Sequence, residues 1–176
     1  MNLKRLNGRL LGLTAASAMF LAASSASHAG TATSNLSVTA TVSANCTIST
    51  TAVAFGAYDP IVTNATSALN GTGTVTVTCT NGSAATIALG QGSNAATGST
   101  DAAPLRRMKD AGTDLLSYSL YQDTNRTTVW GNTVGTSASD TGNGTAQAIT
   151  VYGAVAAGQN VPAGSYSDTV VATVTF

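Results

Sequence analysis

TVVATVTF, residues Thr169–Phe176, closes the sequence. Val170, Ala172, Val174 and Phe176 fall on one face of an extended chain, with Thr169, Val171, Thr173 and Thr175 on the other. Such alternation signals a half-buried β-strand. It runs to the final carboxylate, where most domains fray. A sandwich whose last strand ends the chain has no later strand to cover one flank. We therefore expect a groove between the sheets, with unpaired N–H and C=O groups along Val170–Phe176 that can template another strand.

The opposite end carries a matching pattern, TATSNLSVTATV over Thr31–Val42. Leu36, Val38, Ala40 and Val42 recur every second residue and project from one face. A free polar tail has no use for that stripe. A strand that plugs into a groove does. The competing reading is an ordinary edge strand of a finished sandwich.

Between the ends, helical periodicity is almost absent. Val75, Val77 and Cys79 alternate with threonines; Leu116, Tyr118 and Leu120 alternate with serines. Ile87 and Leu89 follow Asn81-Gly82, a strong signal for a two-residue type I′ hairpin. Further strands are expected near Val53–Phe55, Leu105–Met108, Thr128–Trp130 and Ile149–Val155. Gly90–Ala103 and Gly131–Thr145 read as long loops. About seven short strands separated by turns predict an antiparallel β-sandwich.

Composition narrows the function. The sequence has 176 residues, of which 8% are charged, against roughly 25% in an ordinary soluble domain. Residues 1–29 read as a secretory signal peptide: Lys4, Arg5 and Arg9, an apolar run Leu10–Ala23, then Ser27-His28-Ala29. Ala26 is a second candidate cleavage point. Past Ala29 there is no His and no Glu, and the net charge is −3. Few groups remain for general acid–base catalysis or for His/Cys/Glu metal ligation. No serine has a histidine to activate it. No basic patch suits nucleic acid, and no later apolar stretch reaches membrane length. We expect no enzyme, no cofactor and no metal.

Cys46 and Cys79 both follow the leader, so export makes a disulfide the default and two free thiols the alternative. Arg106-Arg107-Met108-Lys109 is the basic cluster of this region. It reads as a solvated strand or loop balanced by Asp101, Asp110 and Asp114, with an inter-subunit contact as the alternative. Tyr58, Tyr121 and Trp130 offer a conceivable sugar-binding face; packing is the plainer reading.

The chain resembles the spore coat protein U domain family, which includes major subunits of archaic, Csu-type chaperone–usher pili. The residues that carry the resemblance are Asn45-Cys46-Thr47-Ile48, Phe55-Gly56-Ala57-Tyr58-Asp59-Pro60 and Leu116–Asp123. Arg126, Trp130-Gly131, Tyr152-Gly153 and Gly164–Thr169 continue it through to Phe176. The resemblance implies an incomplete immunoglobulin-like sandwich with an N-terminal donor-strand extension. It divides the chain into a signal peptide at 1–29, a donor segment at 30–44 and a pilin domain at 45–176. It implies donor-strand complementation, a form of β-augmentation. A periplasmic chaperone first lends a strand beside Thr169–Phe176. At an outer-membrane usher, residues Thr31–Val42 of another copy or sister pilin replace it. The implied product is a surface fibre for adhesion or biofilm formation. The alternative function is a secreted coat or carbohydrate-binding module that acts as a complete domain.

Overall fold

Side chains that alternate in sequence also alternate in burial. Val75, Val77 and Cys79 are at most 1% exposed, while the threonines between them are half-buried. The structure, a computed structural model, describes residues 27–176. The expected signal peptide lies, apart from Ser27-His28-Ala29, outside the described residues. The chain falls into two units, Met1–Ala40 and Thr41–Phe176. Over the described part of the first, residues 27–40 form neither helix nor strand.

The second unit holds eight strands: β1 (Cys46–Thr51), β2 (Leu69–Cys79), β3 (Ala84–Leu89), β4 (Arg106–Lys109), β5 (Leu115–Tyr121), β6 (Ala138–Thr141), β7 (Gln147–Val155) and β8 (Ala172–Thr175). They make two antiparallel sheets, β1-β2-β7-β5-β4 and β6-β3-β8. No helix occurs among the described residues. The apolar faces meet across a core of Val75, Val77, Ile87, Leu120, Trp130, Val151 and Val155. Each such aliphatic side chain contributes about 1.5–3 kcal/mol by leaving water. Cys46 and Cys79, directly opposite in the β1–β2 register, form a disulfide.

Several local expectations give way to tertiary context. Asn81-Gly82 does not close a hairpin. Ser83 N–H donates to the Thr80 carbonyl at 3.0 Å, and of the two central residues only Gly82 has positive φ, 80°. That is type II geometry. β2 pairs with β1 and β7, and β3 with β6 and β8. The turn therefore carries the chain from one sheet to the other, because the apolar faces of β2 and β3 are satisfied by stacking across the core. The expected loop Gly131–Thr145 contains β6. The expected strand at Thr128–Trp130 reduces to one bridge, Tyr121 to Val129. Val53–Phe55 belongs to no strand.

Arg106 is the largest correction. It is 1% exposed and not solvated. Its Nε–H donates to the Gly90 carbonyl at 2.9 Å; its Nη2 donates to the carbonyls of Leu89 at 2.8 Å and Trp130 at 2.7 Å. These acceptors lie at the end of β3 and on the Trp130 segment, so one guanidinium ties β4 to the opposite layer. Arg107 instead holds a loop, donating to the Asn94 and Ala95 carbonyls. Trp130 is fully buried and donates through Nε1 to the Ile87 carbonyl at 2.9 Å. It therefore cannot share a sugar-binding face with Tyr58 and Tyr121.

Candidate functional site

Three glycines shape the floor of the site. Gly71, Gly73 and Gly153 lie on the inward face of β2 and β7, with Gly71 opposite Gly153. A methyl group on Gly73 would stand 2.8 Å from the Thr51 carbonyl oxygen and 2.9 Å from Val53 N. One on Gly153 would stand 2.7 Å from both Phe55 Cζ and Val53 Cγ1. Glycine within a strand marks such a close approach of another segment. The bare strands give Ala52–Tyr58 a shallow bed, so the chain leaving β1 runs extended across the inside of the larger sheet. No backbone hydrogen bond engages Ala52–Ala57 among the described residues.

β8 supplies the opposite wall. It pairs with β3 along one edge only. The Thr169 and Val171 carbonyls point to the β3 side, accepting from Ser93 N–H at 3.1 Å and Gly90 N–H at 2.9 Å. By strand alternation the backbone groups of Val170, Ala172 and Val174 face the other, unpaired edge. The side chains of those three residues pack against the core. Val171 points outward, and Phe176 is 52% exposed.

Two cavities occupy the space between these walls. One of about 390 Å³ lies between Thr50–Val53 and Ser167–Ala172. The other, about 700 Å³, lies between Val53–Ile61 and Asn160–Tyr166. They share Val53, Phe55, Met108 and Tyr166 and run end to end. Their floor is the core itself: Val75, Tyr118, Leu120 and Val151 below the first, Leu69, Leu116 and Val155 below the second. A trough with an apolar floor, bounded by the Ala52–Ala57 segment and by the unpaired edge of β8, has the shape and chemistry to take a β-strand with alternate apolar side chains.

One polar contact is set into this wall. Tyr118 O–H donates to Asp168 Oδ2 at 2.7 Å, while Asp168 Oδ1 accepts from Ser93 N–H at 2.9 Å and Asn94 Nδ2 at 3.1 Å. Burial, then the hydrogen bond to Asp168, keeps the Tyr118 phenol protonated far above the ordinary tyrosine range. Burial lowers Arg106 to about 10, opposed by the charges of Tyr118 and Asp168. The network pins the segment ahead of β8 to β5. Among the described residues no group of three or more His, Cys, Asp or Glu side chains could hold a metal ion.

Of the residues singled out from sequence, Val170, Ala172 and Val174 line the open edge side by side. Leu36, Val38 and Val42 are 87, 85 and 83% exposed, and Ala40 is exposed as well. Sequence reasoning missed the glycine bed, although Gly71-x-Gly73 inside an alternating run was a usable signal. It also missed the Arg106 and Tyr118–Asp168 contacts, whose partners are remote in the chain.

Fold and site together define a class: a pilin-like, antiparallel β-sandwich with an open strand edge. The sequence matches the Spore Coat Protein U domain over residues 32–173. The chain belongs to that family, which is one of structural, non-enzymatic proteins. It is 52% identical over 125 residues to "Protein U" of Myxococcus xanthus, covering 69% of this chain and 70% of that one. Its fold is similar to a chain of the CsuC–CsuE chaperone–tip adhesion subunit pre-assembly complex from archaic chaperone–usher Csu pili of Acinetobacter baumannii. That match has a TM-score of 0.57 at 21% identity and covers 77% of this chain but 41% of that chain. The likeness is one of fold.

Proposed function

We propose that this chain is a structural subunit of a chaperone–usher surface fibre, polymerised by donor-strand complementation. Residues 30–44 of one copy fill the groove of the next, with Leu36, Val38, Ala40 and Val42 turned to its floor. Residues 45–176 form the receiving domain, walled by Val170, Ala172, Val174 and Phe176. Residues 1–29 direct export. A periplasmic chaperone holds the groove until an outer-membrane usher exchanges it for the neighbour's segment. The finished fibre serves adhesion and biofilm formation.

The observation that carries this reading is the open trough, floored by core residues and flanked by the Ala52–Ala57 backbone and the unpaired edge of β8. The fold shared with a subunit from a chaperone–subunit complex supports it. Burying the four donor side chains contributes roughly 5–8 kcal/mol before ordering costs. Each new ladder bond adds about 0.5–1.5 kcal/mol net. The donor becomes part of a cooperative fold, so its release is slow as well as unfavourable.

The test compares the mature chain with and without residues 30–44. Without a chaperone, the truncated chain is expected to aggregate or stay poorly folded, and a synthetic peptide covering Thr31–Ala44 is expected to restore cooperative unfolding. A truncated chain that is already a soluble, cooperatively folding monomer overturns the proposal.

A further inference from the structure

The larger sheet has a second cavity-forming face, turned away from the trough. Ser117 and Ser119 alternate with Leu116, Tyr118 and Leu120, which fill the core, so the two serines point outward. Across the ladders Ser117 sits opposite Arg107 of β4, Ser119 opposite Ala154 of β7, and Tyr121 opposite Tyr152. Successive outward rows are roughly 6.5–7 Å apart. A cation thus stands at one end of this face, aromatic rings at the other, and small side chains between them. Above the small side chains a cavity of about 310 Å³ opens, lined by Arg107, Ser117, Ser119, Tyr121 and Ala154. That volume lies at the lower end of the range for ligand clefts, roughly 300–1,000 Å³.

The wall is preformed. Ala96 N–H donates to the Leu105 carbonyl at 2.9 Å, and Leu105 N–H to Ser99 Oγ at 2.9 Å. The same loop fixes Arg107, whose Nε and Nη2 donate to the Asn94 and Ala95 carbonyls at 3.0 and 2.9 Å. Neither bond uses Nη1, and among the described residues Arg107 has no acidic partner. A guanidinium held this way keeps N–H groups for a carboxylate, in geometry that suits a planar anion. The nearby acids are engaged in their own turns: Asp110 Oδ1 accepts from Gly112 and Asp114 N–H, and Asp101 Oδ1 from Gln91. No hydrogen bond engages the hydroxyls of Ser117, Ser119 or Tyr121 among the described residues. Arg126 covers the Tyr152 ring, with Cζ 5.8 Å from its centroid, whereas Tyr121 lines the cavity. Apart from Arg107 and Arg106 the lining is uncharged, and the Arg106 guanidinium is committed to carbonyls. The matching ligand carries one carboxylate on a hydroxylated body with an apolar face.

We infer that this cleft binds a uronic acid unit of an acidic polysaccharide, its carboxylate on Arg107, its ring against Tyr121 and its hydroxyls on Ser117 and Ser119. The inference does not depend on the donor-strand reading. To test it, the whole secreted chain is titrated with digalacturonate, with neutral digalactose and with acetate, followed by ligand-observed NMR. Digalacturonate is expected to bind, and the other two to bind far more weakly. Arg107→Gln should weaken digalacturonate roughly ten- to a hundred-fold, the loss of a charge-assisted hydrogen bond. Ser119→Leu, which fills the floor and leaves the Arg107 bonds to its loop in place, should abolish binding with the unfolding midpoint kept. Binding of neither disaccharide, or of both alike, overturns the inference. So does acetate binding as tightly as digalacturonate, which marks a bare anion site, or digalacturonate binding that survives Ser119→Leu.

Discussion

Phe55 lies so close to Gly153 that a methyl group there would stand 2.7 Å from the ring's Cζ. The relationship explains why the chain leaving β1 can cross the inside of the larger sheet without joining it. The absent side chains on β2 and β7 make room for Val53 and Phe55. Alanine at these glycines is therefore expected to lift that segment. At Gly153 the obstruction is side-chain atoms that can shift, and the expected loss is about 1–2 kcal/mol. At Gly73 it is backbone, the Thr51 oxygen and Val53 nitrogen, and the loss rises to about 2–3 kcal/mol. Denaturant unfolding gives the ranking; equal or negligible losses would contradict the proposed bed.

Arg106, 1% exposed, binds the carbonyls of Leu89, Gly90 and Trp130. Arg106→Met leaves those acceptors unsatisfied, and we expect a loss of about 3–5 kcal/mol in urea unfolding. Arg106→Lys should rescue only part of it, since an ammonium on a flexible stem does not reproduce the planar fork. Full rescue by lysine would show that charge, not geometry, holds the sheets together.

Tyr118 makes stability fall at high pH. Its folded pKa is raised, so above the unfolded value of about 10 the unfolded chain sheds a proton that the folded chain keeps. By linkage, the contribution is whole below that pH and is lost as pH rises beyond it. Arg106, lowered to about 10, acts in the opposite sense over the interval up to its unfolded value. The measurement is tyrosinate absorbance in an alkaline titration of wild type and Tyr118→Phe. The folded proteins should match, while the unfolded variant shows one tyrosine fewer. A difference between the folded proteins at moderately alkaline pH would sink the prediction.

The Cys46–Cys79 bridge spans a sequence separation of 33. Replacing both cysteines by alanine is expected to lose roughly 3–4 kcal/mol through the unfolded state. β1 is an edge strand that leads into the groove wall, so peptide capture should weaken along with the unfolding midpoint. Unchanged capture in the destabilised variant would separate the bridge from the groove.

On the donor-strand proposal, Leu36→Asp or Val38→Asp would place a carboxylate against the groove floor. Fibre formation is then expected to stop, while capture by a chaperone that lends its own strand persists. Polymer yield and co-purification with the chaperone read the two effects separately. Wild-type polymerisation by either variant would exclude the stripe as the donor face.

Period-two patterning identified the strands around Val75, Leu116, Val151 and Val174 and the face each turns inward, because burial alternates with the pleat. Local chemistry also marked the turn at Asn81-Gly82 and the cysteines available for a bridge. It did not say that this turn changes sheets, since alternation names a strand's inner face but not its neighbours. Nor did it distinguish Arg106, buried, from Arg107 beside it. That difference arises because β4 aims one guanidinium at carbonyls from Leu89, Gly90 and Trp130, which only the packed sandwich brings together. The glycine bed under Phe55 is likewise a tertiary fact: it depends on where a second backbone passes, and no single strand encodes that alone.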